Sequence, residues 1–264
     1  MPISDRTTAG TILTLMAQND VDAPEVVAAL GRAREIENAA TRIGLGRGAL
    51  GEAVFAALDA GRDPATDPEV QRAITANYLD NPGVAEAVRE AAYGRARAVC
   101  DEYRDDIVTA WRKPFNVAAA TLAGAYDRIG EVELDNADAI LRNGGDIAEV
   151  WAKARAAVAT IRAIRNGWST LAEFTRAVNV DNHFRPLNFI DPTVDQWLGD
   201  HLRESRIDAW DATRGGYTLA LPTFDEYRQR IARITAEVAA AERADHADAL
   251  AYATGRPALL RIPR

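Results

Sequence analysis

The spacing of apolar residues is the feature that most constrains how this chain folds. Near the end of the sequence, six apolar residues follow one another at intervals of 3, 4, 3, 4 and 3: Phe224, Tyr227, Ile231, Ile234, Val238 and Ala241. This is the spacing of a helix with a narrow apolar seam that packs along another helix. A second seam with the same spacing runs from Ile147 to Ile164. Both are shorter than the three to four heptads of an independent coiled coil, so we predict that they pack together within the chain.

Helix signals recur along the rest of the sequence. The chain is rich in alanine, the best helix former. Asp67-Pro68 and Thr223 with Glu226 have the composition of helix N-termini. We therefore predict an all-α fold, an irregular bundle of about nine to ten helices. The exception is a short extended segment near residues 215–221.

The longest predicted helix runs from Pro82 to Lys113, where Pro114 is expected to kink or break it because proline lacks a backbone donor. We expect Gly167 to end the helix that carries the second seam, with Ser169 capping a new one. Further helices are predicted near 137–141 and from Val194 to Trp210. The aperiodic stretch between residues 179 and 192, with two prolines, is predicted to be an ordered loop or a hinge.

Three regions follow from these boundaries. Residues 1–80 form an N-terminal helical subdomain, residues 81–179 a central long-helix region, and residues 180–264 a C-terminal loop with a helical hairpin. The same boundaries are compatible with a single domain.

Charge and composition narrow the classes of function. The net charge of −8 argues against a globally basic nucleic-acid binder. No run of apolar residues is long enough to cross a membrane, so we expect no membrane partner. Cys100 is the only cysteine and lies in a helical pattern, which favours a buried structural thiol in a reducing compartment. We expect a cytoplasmic protein, or one inside a particle that is assembled in the cell.

The interpretation that these patterns favour is a non-catalytic structural or interaction protein. Its partners would be other proteins or copies of itself, in a larger assembly such as a virion-type particle, and it would need no cofactor. The irregular 180–191 segment and the last residues of the sequence are the expected assembly surfaces. The candidate interface residues are Phe184, Phe189, Phe224, Tyr227, Ile231 and Ile234.

An alternative function rests on residues 37–53. Ala40, Gly44 and Leu50 resemble the helix-turn-helix pattern, in which a small residue, a turn glycine and an apolar residue have these offsets. The resemblance implies DNA binding, with contacts from Arg42 and Arg47. Few basic residues are available there for phosphate contacts, so an ordinary helical corner is the preferred interpretation.

A second alternative is a helical enzyme with a carboxylate or histidine site. Asp101 and Asp105, like Glu102 and Asp106, are spaced to place like charges on neighbouring helical turns. We expect this acidic cluster to be a solvated face, although the spacing could hold a metal. His183, His201 and His246 match no zinc or di-iron motif, and we assign no catalytic, cofactor or metal residue.

Overall fold

A computed structural model describes residues 5–42, 49–79, 82–135, 145–180, 183–199 and 207–253. These ranges contain ten α-helices and a 3-10 helix, Arg185–Asn188, and they contain no β-strand. The all-α prediction is therefore confirmed. The helices are α1 Asp5–Gln18, α2 Pro24–Arg42, α3 Ala49–Asp59, α4 Pro68–Leu79, α5 Pro82–Glu102, α6 Arg104–Ile129, α7 Gly145–Thr175, α8 Val194–Leu198, α9 Ala209–Arg214 and α10 Phe224–Ala253.

The chain divides into two compact units, Met1–Arg104 (unit 1) and Asp105–Arg264 (unit 2). The division lies inside the region 81–179 that the sequence groups together. Helix α5 packs along α2, which places it in unit 1 with the N-terminal helices.

Unit 1 consists of α1 to α5. Its core contains Ile12, Val26 and Leu30, and α3 packs on α4. The Tyr93 ring is fully buried, and its hydroxyl donates a hydrogen bond to Glu37 over 2.8 Å. The predicted cap of α4 is confirmed, since Asp67 Oδ1 accepts from the backbone of Glu69 at 2.8 Å and of Val70 at 3.3 Å.

Unit 2 is built around aromatic side chains of α6, α7 and α10. The Trp168 ring centroid lies 4.8 Å from that of Phe224 and 4.9 Å from that of Tyr227. Its indole N–H donates to the Pro222 carbonyl over 2.8 Å, so this large residue is buried without losing its hydrogen bond. Helix α10 thus meets α7 four residues beyond Ile164, and pairing of the two seams along their length stays a prediction.

The predicted extended segment pairs with the loop before it. Ile190 and Leu219 form an isolated antiparallel bridge. The Ala220 N–H donates to the Phe189 carbonyl at 2.8 Å, and the Asp191 N–H donates to Thr218 at 2.9 Å. These contacts place an ordered, extended piece next to the start of α10.

The long predicted helix is interrupted at Tyr103 and not at Pro114. Helix α6 continues through Pro114 to Ile129. The buried residues Ile107, Trp111, Phe115 and Ala118 lie on both sides of the proline, so packing holds the helix where local preference would end it.

Other predicted boundaries also differ from the structure. Gly167 is buried inside α7, where Ile164, Trp168 and Leu171 keep one face in the core, so Ser169 caps no new helix. Where one helix is predicted from Val194 to Trp210, α8 ends at Leu198 and α9 begins at Ala209. The helix predicted near 137–141 lies outside the described residues.

The capping box predicted for α10 is confirmed. Thr223 Oγ1 accepts from the Glu226 N–H at 3.2 Å, and Glu226 Oε2 accepts from the Thr223 N–H at 2.7 Å. The same Glu226 carboxylate pairs with Arg112 of α6. The cap therefore also attaches the start of α10 to α6.

Candidate functional site

Four of the six candidate interface residues belong to the core of unit 2. Phe189, Phe224, Tyr227 and Ile234 are each 0% exposed. Phe184 and Ile231 are half-buried. The Phe184 ring stacks on Trp197, with centroids 5.9 Å apart. Phe184 and Ile231 are therefore the two of the six that keep surface for a partner.

Arginine side chains hold the irregular 180–191 segment, which the sequence predicts to be an assembly surface, against the rest of unit 2. Arg230 Nη1 donates to the carbonyls of Leu187, Ile190 and Ala220, each at 3.0 Å. The Arg165 guanidinium lies 3.5 Å from the Phe189 ring centroid, and burial lowers the pKa of Arg165 to about 10. Residues 186–190 are buried, so the middle of this segment is part of the unit 2 core.

A cleft of about 630 Å³ in unit 2 is lined by Arg112, Arg230 and Arg233, together with Asp191 and Glu226. Arg112 Nε donates to the Leu221 carbonyl at 3.0 Å, and Arg233 Nη2 donates to Asp191 at 2.6 Å. The guanidinium groups are engaged with carboxylates and carbonyls of the fold itself. We interpret the cleft as a set of structural contacts and assign it no ligand.

Among the residues that the structure describes, the largest exposed apolar side chains lie in unit 1. On α3, Phe55 is 70% exposed and Leu58 is 60% exposed. On α4, Tyr78 is 68% exposed and Ile74 is 44% exposed. Residues three or four apart on a helix are neighbours on its surface, so each pair forms a continuous apolar strip. We call these four residues the α3–α4 face.

The two strips have the same angular relation to the buried sides of their helices. On both helices the exposed pair is rotated by roughly 100–160° from the buried residues, in the same sense around the axis. Ala57 marks the buried side of α3, and Val70, Ala73 and Ala76 mark that of α4. The two helices pack on each other, and in an antiparallel pair rotation in the same sense brings both strips to one side.

Where the structure describes the chain, the unpaired charges beside the α3–α4 face are acidic. Glu52 and Asp59, both exposed, are the only ionisable residues of α3. The nearest arginines of the hairpin are already paired, Arg62 with Asp67 at 2.6 Å and Arg72 with Glu69 at 2.7 Å. The face is therefore apolar with an acidic edge on α3.

Sequence reasoning did not single out this face. The available signal was the composition of α3, ALGEAVFAALD, which is apolar around most of its circumference. Such a helix is either enclosed in a core or covered by a partner, and a short core helix is the commoner outcome. Only the tertiary structure shows that Ala57 is the one fully buried residue of α3.

The structure describes only some of the residues that carry the helix-turn-helix resemblance. Residues 43–48, including Arg47, lie outside the described residues, and so does the side chain of Arg42 at the end of α2. Helix α3, which the resemblance makes the recognition helix, has two acids and no basic residue for phosphate contacts. DNA binding through Arg42 and Arg47 stays a prediction.

Among the described residues, those considered for catalysis or metal binding do not converge. Cys100 is fully buried, and desolvation raises its pKa to about 12, which keeps the thiol protonated at neutral pH. Tyr103 interrupts the helix between Asp101 and Asp105, so the acidic cluster does not share one helix. Nowhere in the described part of the chain do three His, Cys, Asp or Glu side chains come together as metal ligands would. Within the same ranges, no helix is both long and apolar enough to cross a membrane.

Comparisons of the chain with protein-family models, with curated proteins and with solved structures find no match.

Proposed function

We propose that this chain is a helical assembly protein whose copies associate through the α3–α4 face. The observation that carries the proposal is the exposure of Phe55 and Tyr78, at 70% and 68%, on helices that pack on each other. A contiguous exposed apolar surface of this kind is typical of interaction sites. Complete burial of each large side chain contributes about 1.5–3 kcal/mol, so four of them supply a meaningful part of an interface.

The partner surface is expected to be protein. The acidic edge formed by Glu52 and Asp59 is repelled by anionic lipid headgroups and by nucleic-acid phosphates. An apolar protein segment with basic residues beside it is the complementary surface. The partner is a second copy of the same chain.

The test is the mass of the purified full-length chain, measured by light scattering over a range of concentrations. We expect the wild type to form oligomers and Phe55→Asp to shift it toward the monomer, because a carboxylate on this face is costly to bury. Val117→Asp is the matched control, since Val117 is 64% exposed on α6 in unit 2. Circular dichroism checks that both variants keep their helices.

Two results would overturn self-association through this face, and a third would remove its special role. One is a wild type that stays monomeric at every concentration. The other is a Phe55→Asp variant that assembles as the wild type does while remaining folded. A loss of assembly in Val117→Asp equal to that in Phe55→Asp would also remove the special role of the α3–α4 face.

A further inference from the structure

We infer that the α3–α4 face of one copy binds residues 254–264 of a neighbouring copy. This inference rests on the proposed function and adds the identity of the binding segment. These residues read TGRPALLRIPR and lie outside the described part of the chain. They are referred to below as the basic segment.

The composition of the basic segment is opposite in charge to that of the whole chain. It contains Arg256, Arg261 and Arg264 and no acidic residue, whereas the full sequence has a net charge of −8. Its apolar side chains include Leu259, Leu260 and Ile262. The segment therefore has both properties that would complement the α3–α4 face. Its apolar side chains match the apolar strips, and its basic charge matches the acidic edge.

Charge complementarity favours this segment over a second α3–α4 face. If two α3 helices packed antiparallel across a two-fold axis, Glu52 of one copy would approach Asp59 of the other, and like charges would oppose the contact. Arginines placed at the same edge would instead form charge-assisted hydrogen bonds with these carboxylates. The acidic edge thus selects a basic occupant.

The dimensions also agree. Helix α3 has 11 residues and a length of roughly 16 Å, and two packed helices lie about 8–10 Å apart. An extended chain covers up to about 3.3–3.6 Å per residue, so the basic segment is long enough to cross both strips of the face.

The contact joins two different surfaces of the same chain. Such a heterologous contact leaves one free face and one free segment after each addition, so copies add until a ring closes or a filament grows. Assembly stops at a dimer if two copies exchange their segments reciprocally, and otherwise grows to larger rings or filaments at high concentration.

The experiment uses a fluorescent peptide of sequence 254–264 and full-length protein. The receptor is the Leu259→Asp/Leu260→Asp chain, whose own segment is disabled, and binding is followed by fluorescence anisotropy. We expect this receptor to be smaller than the wild type by light scattering and to bind the peptide. Adding Phe55→Asp to the receptor should weaken binding by at least about tenfold, whereas adding Val117→Asp should leave it unchanged.

A charge exchange tests the acidic edge without touching the apolar strips. A peptide with all three arginines replaced by glutamate should not bind the receptor. It should bind a receptor with Glu52→Arg and Asp59→Arg, and both attractive pairs should weaken as salt rises from 0.05 to 0.5 M.

The outcomes separate this inference from the proposed function. If Phe55→Asp breaks up the wild-type assembly but the peptide fails to bind, the basic segment is not the occupant and the proposed function stands. If the peptide binds the Phe55→Asp receptor as tightly as its parent, the inference is overturned because the segment docks elsewhere. If the wild type is monomeric and the peptide does not bind, both are wrong.

Discussion

At the scale of single residues, burial sets the chemistry of this protein more than sequence neighbours do. Cys100 illustrates this, because its thiol is fully enclosed and desolvation raises its pKa to about 12. Tyr93 behaves in the same way, since burial and the Glu37 carboxylate raise its pKa to about 12. Both groups are held in their neutral forms, which is a structural rather than a reactive role.

Cys100 gives a testable pH dependence. The pKa of an unfolded cysteine is about 8.5, so above that pH the unfolded chain releases a proton that the folded unit 1 retains. The stability that this proton provides is fully present below about pH 8.5 and is lost as the pH rises toward 12. We expect the free energy of unfolding of the wild type to fall more steeply than that of Cys100→Ala, by about 1.4 kcal/mol per pH unit near pH 10.

Urea titrations followed by circular dichroism between pH 7 and pH 10.5 measure this difference. Tyr93 adds a slope of the same sign to both proteins, so the difference between them isolates the thiol. Equal slopes for the two proteins would show that Cys100 ionises as readily in the folded state as in the unfolded one.

At the scale of helices, packing overrides local signals in α6 and α7. Pro114 and Gly167 are both residues that end helices in isolation, yet each lies inside a long helix. In each case the buried side chains on both sides of the residue continue one apolar face. The caps at Asp67 and Thr223 form as predicted because their hydrogen bonds are local and need no tertiary support.

Pro114 should therefore destabilise α6. Proline removes the donor that would pair with the Ala110 carbonyl, so Pro114→Ala restores one helical hydrogen bond. We expect the free energy of unfolding of unit 2 to rise by about 1–3 kcal/mol, measured by urea denaturation with tryptophan fluorescence. Lys113→Ala, at the neighbouring exposed position, should change it by less than about 0.5 kcal/mol. A less stable Pro114→Ala would mean that α6 depends on the geometry of the proline.

At the scale of the whole molecule, the chain consists of two units, each with its own core. All five tryptophans lie in unit 2, at positions 111, 151, 168, 197 and 210. Tryptophan fluorescence therefore reports on unit 2 alone, whereas circular dichroism reports on the helices of both units.

This distribution allows the two cores to be tested separately. Leu30→Ala should destabilise unit 1 by about 2–5 kcal/mol. The part of the dichroism signal that comes from unit 1 should then be lost at a lower denaturant concentration, while the midpoint of the fluorescence transition stays unchanged. Ile234→Ala should destabilise unit 2 by a similar free energy and lower the denaturant midpoint of the fluorescence transition. A single transition that moves with both variants, identical by both probes, would show that the chain unfolds as one cooperative body.

The fold class and the caps at Asp67 and Thr223 could be predicted from the sequence, because helix periodicity and capping depend on residues a few positions apart. The extended piece near residue 219 is also predicted by its composition, although its pairing partners at 189–191 lie about thirty positions away. The burial of Phe189, Phe224, Tyr227 and Ile234 and the exposure of Phe55 and Tyr78 became visible only in the folded chain. An apolar helix face looks the same in sequence whether the chain itself or another molecule covers it. Long-range packing makes that choice, because it fixes which apolar faces the chain has enough of its own surface to bury.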